Sequence, residues 1–296
     1  MVRERSLKYF LADVFIYIIL TLILLSCVLP FLHILSVSFS SRTAVTANRV
    51  GLLPVDFNLD NYGAVATKDR FLNSFLVSIA RVGIAVPSTL LIVVLTAYPL
   101  ALDRIRLPGR RVFLSVLILA NLFDVGLIPR YLTYRDLGLI DNFAVLILPT
   151  LLATMNVILV INFFRSIPYE LVESAMLDGA NHWDILMRVM VPLSKPVLAT
   201  IALFTFVRHW NSWFDGIVYL RDVRLWPLQS YLYSVLTTKE VQGEFAAYRF
   251  SGLWPNVSPH GAEAAMVFFA ILPIVIVYPF LQRYFISGMK LGAVKE

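Results

Sequence analysis

With 59% hydrophobic and only 15% charged residues among 296, and a mean hydropathy of +0.77, the chain falls well short of the roughly 25% charged content of soluble domains, and a membrane protein is expected. A net charge of +6 does not require nucleic acid, because basic residues gathered at membrane edges give the same balance. The lone cysteine, Cys27, excludes an internal disulfide, and no Cys/His group has metal-ligand spacing.

Six apolar segments follow in chain order. The first covers roughly 11–35, and its uncharged stretch Val14–Leu32 is too long for a signal-peptide core, with no small-residue cleavage site after it. It reads as an uncleaved span. The second covers roughly 73–102, the third roughly 112–131 with Asp124 inside it, and the fourth roughly 142–164. The fifth, roughly 196–220, ends in a polar cluster, and the sixth covers roughly 264–285. Each approaches the ~20 residues a helix needs to cross hydrocarbon. Their length and unbroken apolarity favour helices over strands. Pro87, Pro99, Pro149, Pro273 and Pro279 fall inside these segments, as kinks or as tolerated packing features.

Orientation rests on one tight loop, DRIRLPGRR, with Arg104, Arg106, Arg110 and Arg111. That basic bias places the loop in the cytoplasm. Both termini and the loop 165–195 then face the cytoplasm too. The long segments 36–72 and 221–262 face outward.

The loop 165–195 is a polar helix-turn-helix between two apolar runs. Ser166 is expected to cap its first helix, with Pro168 in the first turn and Glu170 and Glu173 near the N-terminus. Val172, Ala175, Met176 and Gly179 share one face at helical spacing. Gly179 stops the helix, Asn181 caps the next with Asp184 in a box-like position, and Pro192 and Pro196 end that one. A three-turn helix is marginal alone. It lies either on the membrane and its own bundle or against a soluble partner.

The polar cluster of the fifth segment is Arg208, His209, Trp210, Asn211, Trp213 and Asp215. Charge at membrane depth costs about 2.5–3.5 kcal/mol on an insertion scale and normally faces the bundle interior or water. Aromatic rings beside hydrogen-bonding groups suit sugars, so one reading makes this stretch part of a translocation path. The other makes it a span end, with tryptophans at the interface and structural ion pairs. Asn121, Asp124, Asn156 and Asn162 read as interhelical hydrogen-bonding groups, Arg81 as snorkelling or paired, and His33 and His182 as ordinary polar contacts.

Glu173-Ser174-Ala175, three residues, Gly179, nine residues, then Val189-Met190-Val191-Pro192 resembles the EAA loop of bacterial ABC importer permeases, E-A-A, G and I-x-L-P at the same spacings. Ser174, Val189 and Val191 depart from that pattern conservatively. PFLHILSVSFSS (30–41), LLPVDFNLDNYGAV (52–65), FTFVRHWNSWFDGIVYL (204–220) and the tail GMKLGAVKE (288–296) resemble the carbohydrate branch, the maltose-type six-span permeases and in particular their complex-oligosaccharide relatives.

The resemblance implies an all-α integral membrane protein with the type I ABC importer permease fold. It implies a cytoplasmic N-terminus 1–10, a single transmembrane permease domain 11–286 and a cytoplasmic tail 287–296, in a bacterial cytoplasmic (inner) membrane. The first loop helix would be the coupling helix, with Glu173, Ser174, Ala175, Gly179 and Pro192 as coupling residues. The partners implied are a second permease, two ATPase subunits and an extracytoplasmic solute-binding protein, besides membrane lipid and without nucleic acid. The tail Gly292-Ala293-Val294-Lys295 would reach toward the ATPases and the 221–262 loop toward the binding protein. This chain would bind no cofactor and catalyse nothing. ATP and Mg would sit on the ATPase subunits, since GxxxxGK[ST] is absent from the sequence.

Two other classes are weaker. An ion-coupled secondary transporter needs midplane carboxylates and repeated halves, and offers only Asp124 and Asp215 without an evident repeat. An intramembrane enzyme needs a nucleophile–base or metal constellation, but His209 and Asp215 are poorly spaced for one helix face. Arginine and lysine in the outer segments, with Arg208, fit an acidic oligosaccharide of uronate type, or are ordinary loop charges.

Overall fold

The computed structural model describes residues 7–102, 107–123, 125–238 and 253–293. Expectations on Arg104, Arg106, Asp124, Val294 and Lys295, and on the 239–252 part of the long outer segment, lie outside the described residues. Every regular element among the described residues is helical. The chain divides into two compact units, Met1–Asp69 with Ser234–Ile271, and Arg70–Tyr233 with Leu272–Glu296.

In the first unit, α1 (Leu7–Ser38) is exposed from Phe10 to His33 and apolar all round. Such a helix needs lipid or another protein around it. Its last turn is covered, and the outer segment that follows is folded rather than loose. Ser36 Oγ donates to Leu52 O at 2.6 Å. Ser41 caps the short α2 (Arg42–Thr46). Asn61, fully buried in α3 (Asp60–Ala66), donates to Ser38 O at 3.0 Å and accepts from Ser258 N at 3.2 Å. One amide thereby ties the end of α1, the helix α3 and the approach to the last long helix, Pro259–Ala293. Gly261 in that helix has no room for a side chain, since a Cβ would meet the Asn61 amide nitrogen at 2.5 Å.

The second unit is built on α4 (Asp69–Ala101). Its buried stripe Ser78, Arg81, Ala85, Thr89, Val93, Ala97, Leu100 repeats every three to four residues, as one helix face must. It is followed by α5 (Arg110–Leu122), α6 (Leu127–Asp136) and two 3₁₀ turns, Phe143–Leu146 and Leu148–Thr150. Next come α7 (Thr154–Ser166), α8 (Tyr169–Leu177), α9 (His182–Ile185), a π turn Leu186–Met190 and α10 (Val191–Leu193). The unit continues with α11 (Lys195–Asn211), α12 (Phe214–Tyr219) and the start of α13 (Leu228–Thr237). Val93, Ala97 and Leu100 of α4 pack with Val157, Val160 and Phe164 of α7, Val172 of α8, Ile185 of α9 and Ile201 of α11 in one core. The carbonyls left over at the end of α4 are taken by two arginines. Arg110 donates to Pro99 O at 3.0 Å and to Leu102 O, and Arg165 to Leu100 O at 3.4 Å.

The six apolar segments are not six plain helices. Among the described residues, three helices are long and apolar enough to cross a membrane, Phe10–Ser38, Asp69–Ala101 and Pro259–Phe280, and the number rises to six if each of three bent pairs counts as one span. The fourth segment turns from 3₁₀ to α-helix with a 44° bend. Pro149 lies in its 3₁₀ half and has no N–H to give a longer helix. The fifth stops at Asn211 and restarts at Phe214. Its bent pair begins earlier, at His182, with a 78° bend near Ser194.

Candidate functional site

The hairpin between α7 and α11 is set by local chemistry. Ser166 does not cap α8, as its spacing suggests. It closes α7, donating to Phe163 O at 2.7 Å, and Pro168 occupies the cap position of α8. Val172 is buried and Ala175 packs beside it against the core. Met176, expected on the Val172 face, is exposed, as are Leu171, Trp183 and Met187, and Leu177 is 89% exposed. Glu173 and Ser174 also lie on the exposed face.

Gly179 ends the helix in the left-handed region with φ of 82°. Ala180 N donates to Ala175 O at 2.9 Å and Gly179 N to Met176 O at 3.0 Å, the paired bonds of a Schellman stop. Asn181 Oδ1 then accepts from Trp183 N and Asp184 N, both at 2.9 Å. Asp184 does not close the box, and pairs with Arg188 instead at 3.4 Å. Pro192 does not end the second helix at once. A proline ring crowds the carbonyl four residues back, and the π turn Leu186–Met190 immediately before Val191 widens the helix where that crowding falls. His182 Nδ1 lies 3.1 Å from the Tyr98 hydroxyl, linking the hairpin to α4.

The second candidate region is a cavity of about 210 Å³ lined by Arg81, Arg130, Arg208, His209, Asp215 and Tyr219, among others. At its base, Arg81 of α4 is 1% exposed. Its guanidinium donates to both Asp215 oxygens, to His209 Nδ1 at 3.2 Å and to Leu146 O at 3.2 Å. Asp215 Oδ1 also accepts from Ser212 Oγ at 2.9 Å and Gly216 N at 3.0 Å. His209 Nε2 reaches Thr150 Oγ1 at 3.2 Å. Buried charge is retained because it is paired and fully hydrogen-bonded.

The six residues foreseen in the fifth segment therefore divide. His209 and Asp215 belong to the buried network, and Arg208 is an exposed lining residue of the cavity. Trp210 is buried, stacked on Phe206 at 6.0 Å and edge-on to Phe75 at 5.8 Å. Trp213 stacks on Tyr233 at 4.2 Å, and Asn211 is exposed. Arg81 is paired rather than snorkelling. The sequence reading missed Arg130, Tyr134 and Thr150, which join the cavity from distant segments that no helical spacing connects. Among the described residues, the side chains of Asn121, Asn156 and Asn162 make no hydrogen bond. His33 bonds to Gly51 O at 2.9 Å, and no group of three metal-ligating side chains occurs among the described residues.

The family described as binding-protein-dependent transport system inner membrane component matches residues 62–291. The chain is 36% identical over 290 residues to the polygalacturonan/rhamnogalacturonan transport system permease protein YtcP of Bacillus subtilis, covering 98% of this chain and 100% of that protein. It is 38% identical over 269 residues to protein LplC of the same organism, covering 90% and 89% of the two chains. Among solved structures it is similar to a chain of a bacterial ABC transporter involved in the import of the acidic polysaccharide alginate. The TM-score is 0.88 at 36% identity, over 95% of this chain and 98% of that one.

Proposed function

The chain belongs to the family of binding-protein-dependent transport system inner membrane components, and from that premise we propose that it imports carboxylate-bearing oligosaccharides, driven through the hairpin Glu170–Pro196. It is a permease subunit of an ABC importer, a transport subunit rather than an enzyme, with the permease fold of the alginate-importer chain. Family membership selects ATP-driven import over the ion-coupled alternative.

The observation that carries the coupling reading is the hairpin's division of faces. Val172 and Ile185 are locked into the core while Leu171, Leu177 and Trp183 project outward. Exposed apolar side chains on a short, well-stopped helix call for a partner surface. In this reading that surface is an ATPase subunit in the cytoplasm. Glu173 and Ser174 lie on the docking face, Ala175 seats the helix against the chain's own core, Gly179 stops it, and Pro192 shapes its exit. ATP and Mg sit on two such subunits, a second permease completes the path, and a solute-binding protein delivers substrate from outside. Both termini then face the cytoplasm. The path runs past Arg208, His209 and Asp215, with Trp210, Asn211 and Trp213 beside it. Support for an acidic oligosaccharide comes from the polygalacturonan/rhamnogalacturonan and alginate systems of the similar proteins.

The test is Gly179→Asp against Gly179→Asn in the chain co-purified with its ATPase and permease partners. No neighbouring atom lies within 4 Å of a Cβ added at Gly179, and both residues tolerate the left-handed conformation. The comparison therefore isolates the charge. Transport uncoupled or ATPase released by Asp, but not by Asn, is the expected result. A chain that transports alone and is indifferent to both substitutions would end this reading.

A further inference from the structure

We propose that the turn Val50–Leu59 rests in the headgroup layer of the membrane, with Leu52 and Leu53 reaching the acyl chains of the leaflet opposite the N-terminus. The depth comes from α1. Between Asp13 and His33 its sequence carries no charge, and the stretch Val14–Leu32 rises about 29 Å at 1.5 Å per residue. The hydrocarbon core is about 30 Å thick, so His33 stands at its far boundary. The turn is hydrogen-bonded to α1 at that level. His33 Nδ1 donates to Gly51 O at 2.9 Å and Ser36 Oγ to Leu52 O at 2.6 Å. Higher up, Ser41 N donates to Val55 O at 3.1 Å and Asn58 N to Phe39 O at 2.9 Å. The chain leaves the span at Ser38 and folds back beside its last turns, which returns Gly51 and Leu52 to the depth of His33.

What the turn presents there is apolar. Leu53 is 77% exposed and Leu52 51%, with Phe57 at 65% and Leu59 at 57%. Single exposed apolar side chains need no explanation, but a cluster in one short turn marks a protein or membrane contact. The depth selects lipid, because apolar groups at the hydrocarbon boundary bury themselves in the headgroup and acyl border. The charges agree. Arg42 and Arg49 form no ion pair among the described residues, and guanidiniums suit lipid phosphates. The carboxylates of the turn are engaged by the protein: Asp56 Oδ2 accepts from Ser41 Oγ at 3.2 Å and Asp60 Oδ2 from Asn256 N at 3.1 Å. Asn61 of α3 donates to Ser38 O at 3.0 Å, just above the turn, so lipid contact at Leu53 sets how α3 stands on the membrane.

The experiment places one cysteine at Leu53 or at Leu52 in a Cys27→Ser background of the assembled importer and labels it with an environment-sensitive fluorophore. Both side chains are exposed, so either change leaves the packing of the fold intact, and each position checks the other. Quenching is read in nanodiscs of phosphatidylcholine carrying a nitroxide either near the glycerol or near the acyl chain end, and separately with iodide in the water. The nitroxide near the glycerol is expected to quench both labels several-fold more than the one at the chain end, with little quenching by iodide. Strong quenching by iodide and none by lipid would put the turn in water and overturn the proposal. Labels shielded from lipid and iodide alike would mean that another subunit covers the turn, which also overturns it. Equal or stronger quenching by the chain-end nitroxide would place the turn inside the hydrocarbon and reject the headgroup position.

Discussion

Arg81 and Asp215, 134 residues apart in sequence, are joined by a two-pronged ion pair in the interior of the second unit, with Nη1 donating to Oδ1 at 3.3 Å and Nη2 to Oδ2. The pair pins the middle of α4 to the turn where α11 gives way to α12. Through Leu146 O and His209 the same guanidinium reaches the 3₁₀ half of the fourth span and the end of α11. A broken helix in a membrane leaves backbone groups without partners, and here one arginine gathers two of the breaks.

Removing one member of this pair should be far worse than removing both. Asp215→Asn leaves a guanidinium that is 1% exposed without its anion, and breaking a buried pair this way costs about 3–5 kcal/mol. The double change Arg81→Met with Asp215→Leu removes both charges and should recover much of the loss. Thermal unfolding of the purified complex checks this, with Arg208→Gln as the exposed control. Equal melting of Asp215→Asn and wild type would show that the pair carries no structural weight.

Gly216, next in the chain, has no room to grow. A Cβ there would strike the Ser230 hydroxyl and come within 2.9 Å of Pro227 Cδ. Ser230 Oγ donates to Trp213 O at 2.7 Å, so it cannot swing away without losing a bond. Gly216→Ala should therefore destabilise by about 1–3 kcal/mol through overpacking. Adding Ser230→Gly should relieve the clash in the same melting assay. An unchanged midpoint for Gly216→Ala would contradict the close approach of α12 and α13.

The spans were legible because lipid demands long apolar runs, and Phe10–Ser38, Asp69–Ala101 and Pro259–Phe280 follow them closely. The hairpin was legible because Gly179 and Asn181 act on their own neighbours: a left-handed stop and an asparagine cap are short-range events. What stayed hidden was long-range. Val14 and Val93 read alike, yet one is exposed and the other wholly buried. Asp215 invited pairing with nearby Arg208, but its partner is Arg81, and nothing in the spacing of either points to the other. The break at Ser212 was obscured because the polar cluster around it reads equally as a span end or as the lining of a path.

Asp222 offers a pH test outside the spans. Its carboxylate caps the 3₁₀ turn Val223–Leu225, accepting from Arg224 N at 2.9 Å, and pairs with the Arg224 side chain at 2.8 Å. Those bonds hold its pKa below the usual carboxylate value. A depressed folded-state pKa gives a contribution that is complete above the unfolded value, about 3.9, and is lost as pH falls through the lower folded value. Amide exchange at Arg224 should therefore stay protected through mildly acidic pH and rise only below about pH 4. Asp222→Asn should flatten that dependence. A rise near neutral pH in the wild type would rule out the capped pair as its cause.

Tyr98 and His182 make the last prediction. Their side chains meet at 3.1 Å, joining the first residue of α9 to α4. Arg81 lies seventeen residues earlier on that same helix, roughly 25 Å away at 1.5 Å rise per residue. A movement imposed on the hairpin would thus be felt by α4 at one end and by the Arg81–Asp215 network at the other. Tyr98→Phe keeps the ring, which lies edge-on to His182 at 6.1 Å, and deletes only the hydroxyl. Assembly and ATP hydrolysis should persist while substrate transported per ATP falls several-fold. His182→Ala should reproduce the defect, and the double variant should add little to it, because the two residues act through one contact. Unchanged stoichiometry in Tyr98→Phe, or a fully additive double variant, would mean that the hairpin moves the spans by the packing of Val172 and Ile185 alone.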